Sequence, residues 1–94
     1  MNGMYKVKGV VELFPQDGGW HYVRVPKKIS EPLMITADRG LVAITAQVGT
    51  TKWDTSLLPY GDGTQFIALP KKVRAAEKIE LDDTVEVTFT LRVR

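Results

Sequence analysis

The sequence predicts a mainly β domain with an internal repeat and one or two short helices. Apolar and polar residues alternate along much of the chain, which is typical of half-buried strands. The segment YVRVPKKI at 22–29 is matched 44 residues later by FIALPKKV at 66–73, and an alternating segment follows each copy, at 42–48 and 85–91. Such self-similarity indicates two related units in one chain. Two unrelated strand-to-turn junctions that share Pro-Lys-Lys are the alternative.

Length and composition limit the class of protein. Ninety-four residues predict one domain, 1–94, with a single modest core. The absence of cysteine excludes disulfides and cysteine-bound zinc and fits a reducing cytoplasm. Lys6 and Lys8 interrupt the first apolar stretch, and no apolar run approaches the length of a membrane span. We therefore expect a soluble, cytoplasmic protein, whose net charge of +2 permits nucleic-acid binding without requiring it.

Alternation defines the first two strands. Residues 4–14 predict a strand, and its inward face should carry Tyr5, Val7, Gly9, Val11 and Leu13. A Pro- and Gly-containing turn at 15–19 leads to the strand 20–25. The repeat sets the faces of this strand, so Val23 and Val25 should point inward, and the outward residues should be Trp20, Tyr22 and Arg24.

The middle of the chain is less regular. Pro26 predicts a helix start, but Pro32 follows so soon that 27–31 should form only one turn. A turn at 38–40 should lead into the strand 41–48, which is apolar on both faces in part and therefore central. For 49–59 we expect an irregular segment that covers one end of the core with Trp53, Leu57 and Leu58.

The last third contains a strand, a helix and a longer strand. Residues 66–69 predict the strand, and Pro70 opens a helix that ends near 77–78. An acidic turn at 81–83 precedes the strand 84–94, whose inward residues should be Val85, Val87, Phe89, Leu91 and Val93. We expect a core that includes Val23, Val25, Ile44, Ile67, Leu69, Val85, Val87 and Phe89.

Two family resemblances follow from these patterns. The order of strand, Pro-Lys junction, short helix and acidic turn in 66–87 resembles the swapped-hairpin unit of the AbrB and MazE transcription regulators. Two chains share a double-split β-barrel in those proteins, so the resemblance implies a pseudo-two-fold barrel within one monomeric chain here.

A second resemblance covers nearly the whole chain. The residues that carry it are Trp20, Tyr22, Val23, Val25, Pro26, Ser56, Leu57, Pro59, Gly61, Asp62, Gly63, Pro70, Lys71, Arg74, Asp83, Thr84 and Val85. They are similar to a domain-of-unknown-function family of the same fold, found alone or beside a YdeI/OmpD-associated domain. This chain has Asp82-Asp83 where that family usually has Gly-Asp, and aspartate also adopts left-handed backbone angles. The resemblance implies a fold and assigns no catalytic or ligand residues.

The residues that could support catalysis are few. His21 is the only histidine, and no nucleophile motif accompanies it. Ser56 is expected to bond to nearby backbone, and Asp62 between two glycines is typical of a tight turn. No set of side chains has metal-ligand spacing. We expect no enzymatic activity, no cofactor and no metal.

Two binding interpretations differ in partner class. In the favoured one, outward side chains bind a small molecule or a protein, through Trp20, Tyr22, Arg24, Trp53 and Phe66. Burial of these rings under a loop or helix is the alternative. In the other, the first and last strands are neighbours and form a nucleic-acid surface from Lys6, Lys8, Arg92 and Arg94. Eleven interleaved acidic residues favour an ordinary solvated surface there.

Overall fold

Seven strands and two short helices make up the domain. The computed structural model describes residues 3–14, 19–35, 37 and 40–92. In chain order the elements are β1 (Met4–Val10), β2 (Glu12–Leu13), β3 (His21–Val25), α1 (Lys27–Met34), β4 (Val42–Val48), β5 (Thr51–Pro59), β6 (Gln65–Ala68), α2 (Lys71–Glu77) and β7 (Thr84–Leu91). The mainly β prediction with two short helices is confirmed.

The strands form one antiparallel sheet that nearly closes into a barrel. Its order is β1-β7-β4-β5-β6-β3-β2. Strands β1 and β2 belong to one extended segment that bends at Val11, where the Val11 N–H donates to Asp83 O and Val11 O accepts from the Asp82 N–H. Because β1 pairs with β7 and β2 pairs with β3, this single segment lies at both ends of the sheet.

The core fills the inside of this curved sheet. Ile44, Leu57, Ile67 and Phe89 are among its largest fully buried side chains. The residues predicted for the core are buried as expected, except Val85, which is half-buried and packs against the core from its edge. Strand β4 pairs with both β5 and β7, which confirms its central position.

The expected irregular segment at 49–59 is wrong, since it contains the nine-residue strand β5. A tight hairpin connects β4 to β5: Val48 pairs with Thr51, and Gly49 takes a φ of 58° that favours glycine. Along β5, Trp53 and Leu57 share their inward row with threonines, and these polar residues hide the alternation in the sequence.

The first helix is also longer than expected, because it runs to Met34 and contains Pro32. Proline removes one backbone hydrogen bond of a helix. The face of α1 that carries Ser30 and Leu33 is nevertheless buried, so packing holds the helix across the proline. No helix within the described ranges combines the length and apolar character needed to cross a membrane.

The prediction of one continuous strand over 4–14 is wrong at its C-terminal end, where β1 stops at Val10 and β2 follows. The bend at Val11 changes which residues point inward, and Leu13, predicted to be inward, is exposed. The predicted turn before β7 is present, with Asp82 in the left-handed region at a φ of 73°. The predicted turn residues 15–18, 38 and 39, and Val93 at the end of the last strand, lie outside the described residues.

Candidate functional site

The antiparallel pair β3–β6 has two ends that differ. At its centre Val23 faces Ile67, and at one end Val25 faces Gln65. At the other end the Leu69 N–H donates to His21 O over 2.9 Å. Helix α1 begins directly after β3, and helix α2 begins just after β6, so each end lies beside the first turn of a helix.

The Val25 end is sealed by a polar pair. Ser30 Oγ, from α1, donates to Gln65 Oε1 over 2.9 Å, and both residues are completely buried. Gln65 Nε2 is buried as well and has no hydrogen-bond partner among the described residues. We call this region the sealed end.

The His21 end is open and forms a cleft with a volume of about 300 Å³. This size lies at the lower limit of small-molecule sites, which are about 300 to 1,000 Å³. The residues that line the cleft are Gly19, Trp20, His21, Ala68, Leu69, Pro70, Lys71 and Arg74. Trp20 is 55% exposed although it is the bulkiest of them. We call this region the open cleft.

The described side chains that line the open cleft include basic ones and no acidic one. Arg74 Nε donates to Leu69 O over 2.9 Å, which fixes the side chain. The terminal nitrogens of Arg74 form no ion pair or hydrogen bond with the described residues. His21 Nδ1 is buried and also lacks a partner among them. The terminal nitrogens of Arg74 and the buried His21 Nδ1 are therefore polar groups without partners in the described part of the chain.

Tyr22 and Phe66 lie on the outward face of β3 and β6, as predicted, and both rings are covered, which is the alternative that the sequence left open. Tyr22 is 3% exposed and Phe66 is 6% exposed. The Phe14 ring stacks on Tyr22 with 4.2 Å between centroids, and Tyr60 meets Phe66 edge-on at 6.1 Å. The four rings pack against one another, and we call them the aromatic cluster.

Arg24 belongs to this cluster and is satisfied within the chain. Its Cζ lies 3.9 Å from the centroid of the Tyr60 ring, and its Nε lies 3.3 Å from Glu12 Oε2. The Tyr22 hydroxyl donates to Glu12 Oε1 over 3.2 Å. Burial, followed by the hydrogen bond with Tyr60, raises the pKa of Tyr22 well above its ordinary value. The aromatic cluster thus attaches Tyr60, at the end of β5, to β3.

The remaining predicted ligand residue, Trp53, lies elsewhere. It faces Ala46 across β4–β5 and packs partly buried against the core. The five predicted ligand residues are therefore divided: Trp20 lines the open cleft, the aromatic cluster includes Tyr22, Arg24 and Phe66, and Trp53 lies on β5.

The predicted nucleic-acid residues are also divided. Lys6 and Lys8 are exposed on β1, where Lys8 faces Glu86. Arg92 donates from Nε to Ile44 O and from a terminal nitrogen to Thr55 O, so its guanidinium lies over β4 and β5, away from β1. Arg94 lies outside the described residues. The sequence predicted that these cations lie close together, but Arg92 is not close to Lys6 and Lys8 in the structure.

Among the described residues, no three His, Asp or Glu side chains come close enough to hold a metal ion.

Sequence reasoning missed His21, Lys71 and Arg74 as neighbours in one cleft. At the 44-residue offset of the predicted repeat, His21 aligns with Gln65, and Arg74 aligns with Ser30. The two segments also differ elsewhere, as at Arg24 and Ala68, so the sequence difference alone does not identify the cleft.

These features define a small, mainly β, barrel-shaped domain with an open cleft beside its second helix. The chain belongs to the family described as Domain of unknown function (DUF1905), whose sequence model matches residues 8–89. This confirms the expected membership of a domain-of-unknown-function family. No curated protein matches the chain.

Proposed function

We propose that this protein is a non-enzymatic module that binds a small molecule in the open cleft, with Trp20 as the main contact surface. The observation that carries the proposal is a large aromatic side chain, 55% exposed, in a cleft of about 300 Å³. Small-molecule sites combine apolar or aromatic walls with a few polar groups. The apolar and aromatic walls of the cleft are formed by Trp20, Leu69 and Pro70. The polar groups belong to His21, Lys71 and Arg74.

The size of the cleft favours a small molecule over a protein partner. A stable protein interface buries about 800 Å² on each side, which needs a broad surface. The aromatic cluster does not extend the open cleft into such a surface, because Tyr22 and Phe66 are buried and Arg24 is paired with Glu12.

We also propose the finer architecture, a double-split β-barrel with a pseudo-two-fold axis, as in AbrB- and MazE-like proteins. Register supports it: Val23 faces Ile67 in β3–β6, and Ala46 faces Phe89 in β4–β7. Within each pair the two residues hold matching places in the two copies, as an axis through both pairs requires. Superposition of residues 19–48 on 63–91 tests this symmetry, which fails if their strands overlay in different orders. In this proposal the chain is a cytoplasmic monomer and an internal pseudo-dimer.

Nucleic-acid binding ranks second among the proposed functions. A phosphate backbone is bound by several cations on one surface. Lys8 faces Glu86, and Arg92 is turned toward β4 and β5, which weakens such a surface. The basic groups of the open cleft are closer to one another and belong to a concave site, so they favour a small ligand.

A fragment screen observed by two-dimensional NMR tests the proposed function. We expect neutral and charged aromatic fragments to shift the amide signals of Gly19, Ala68 and Lys71 at millimolar concentration. Trp20→Ala should weaken these fragments about three- to tenfold, since an aromatic pair contributes about 0.5 to 1.5 kcal/mol beyond area burial.

Leu81→Ala is the matched control, because Leu81 is exposed and does not line the cleft. Its fragment affinities should equal those of the wild type. Fragments that leave the cleft signals unchanged, or that bind Trp20→Ala as tightly as the wild type, contradict the proposal.

A further inference from the structure

We infer that the ligand of the open cleft is an aromatic oxyanion, a planar ring system that carries a carboxylate or a phosphate. Its charged group is held by Arg74 and Lys71, and its ring lies against Trp20. The inference rests on the proposed function, because it specifies the ligand of the same site.

Charge is the first argument. Lys71 is exposed at the cleft, Arg74 is half-buried in it, and none of the described residues that line it is acidic. Arg24, in contrast, has acidic partners: it lies 3.3 Å from Glu12 and 3.8 Å from Asp62. Among the described residues this positive charge has no acidic partner, which favours an anion.

The fixed position of Arg74 is the second argument. Its Nε is held by Leu69 O, so the guanidinium does not have to be ordered when a ligand binds. The terminal nitrogens form a planar pair of donors that matches the two oxygens of a carboxylate or phosphate. An anion at this position obtains directional hydrogen bonds in addition to charge attraction.

His21 supplies the third argument. Its Nδ1 is buried beside the cleft with no partner among the described residues, and a buried nitrogen without a hydrogen bond is costly. At the sealed end the matching position holds Gln65, whose Oε1 is satisfied by Ser30. A ligand oxygen that reaches His21 Nδ1 would satisfy this nitrogen, as Ser30 satisfies Gln65 Oε1.

Trp20 determines the apolar half of the ligand. An exposed indole beside Leu69 and Pro70 provides a flat surface on which one or two fused rings can stack. A cleft of about 300 Å³ accepts such a ring system together with its acidic group.

Three naphthalene probes of one shape test the inference: 2-naphthoate, 2-naphthyl phosphate and the neutral 2-naphthamide. Dissociation constants come from the amide shifts of Gly19, Ala68 and Lys71 in NMR titrations. We expect at least one anion to bind about tenfold more tightly than the amide, since a hydrogen bond to a charged group exceeds a neutral one by about this factor. The two anions distinguish a carboxylate ligand from a phosphate ester.

Adjacent lysines provide a matched pair of variants. Lys71 lines the cleft, whereas Lys72 is exposed and does not. Lys71→Gln should weaken the tighter anion about two- to fourfold, as expected for a solvent-exposed ion pair, and leave 2-naphthamide unchanged. Lys72→Gln removes the same charge outside the cleft and should change neither. Arg74→Gln should cause a larger loss, of about tenfold, for the anion alone.

The outcomes separate this inference from the proposed function. If 2-naphthamide binds as tightly as both anions, or if only neutral fragments bind, the anion inference is wrong and the proposed function stands. Equal losses in Lys71→Gln and Lys72→Gln also overturn it, because general electrostatic attraction then explains the preference. If neither the probes nor the fragment library shifts the cleft signals, the proposed function itself is wrong.

Discussion

The two ends of the β3–β6 pair each lie beside the first turn of a helix and differ in their side chains. His21 and Gln65 each lie two residues before the central residue of their strand, Val23 or Ile67. Gln65 forms a buried hydrogen bond with Ser30, whereas His21 lines an open cleft with Arg74. The same local architecture is thus closed at one end and accessible at the other.

The difference indicates that the ends have separate roles. Buried polar groups usually have partners within the protein, and the sealed end follows this rule with Ser30 and Gln65 Oε1. Each end keeps one buried nitrogen without a described partner, Gln65 Nε2 or His21 Nδ1, but only the open cleft adds a concave surface and an exposed Trp20 ring. The first arrangement is consistent with a role in stability, and the second is consistent with the proposed ligand site.

The largest expected effect concerns the centre that both ends share. Ile67 is fully buried where β3 and β6 pair, so Ile67→Ala should lower the free energy of unfolding by about 2 to 4 kcal/mol through lost burial and a cavity. Chemical denaturation measures this change.

Ile35→Ala makes the same substitution at a residue that is 87% exposed. It should change the free energy of unfolding by less than about 0.5 kcal/mol. A loss below that value for Ile67→Ala would show that the two ends are not joined through a common core.

A smaller effect distinguishes the two ends. Ser30→Ala leaves Gln65 Oε1 buried without its donor and should cost about 1 to 3 kcal/mol of unfolding free energy. Trp20→Ala, at the exposed ring of the open cleft, should cost less than about 0.5 kcal/mol.

The double variant Ser30→Ala/Gln65→Leu sharpens this comparison. It replaces both partners of the hydrogen bond by apolar groups, and such a replacement can be nearly neutral. It should therefore be more stable than Ser30→Ala alone. If Ser30→Ala is no more destabilising than Trp20→Ala, the sealed end has no stabilising role.

The sequence predicted those parts of the fold whose apolar pattern is uninterrupted. Strands β3, β6 and β7 and helix α2 were predicted close to their observed limits, because alternation and Pro70 identify them. Strand β5 was missed because threonines occupy half of its inward row, and α1 was shortened because Pro32 predicts an early end. In both cases tertiary packing outweighed the local signal.

The candidate site was less predictable. Trp20 was identified as a ligand residue. Lys71 and Arg74 are distant from it in the chain and lie beside it only because β3 pairs with β6. The sequence left open whether Tyr22 and Phe66 are exposed, because alternation shows which face of a strand a residue occupies and not what covers that face. Phe14 and Tyr60 cover it here.

Conversion of the open cleft into a second sealed end tests the central claim most directly. The double variant His21→Gln/Arg74→Ser installs, at the open cleft, the two residue types found at the matching places of the sealed end. The measurement is an NMR titration of wild type and variant with whichever naphthalene anion the wild type binds more tightly, and a dispersed spectrum shows that the variant is folded. We predict saturable shifts at Gly19, Ala68 and Lys71 in the wild type and, because Trp20 and Lys71 remain, a dissociation constant at least about tenfold higher in the folded variant. Binding to the variant with the wild-type dissociation constant would contradict the account.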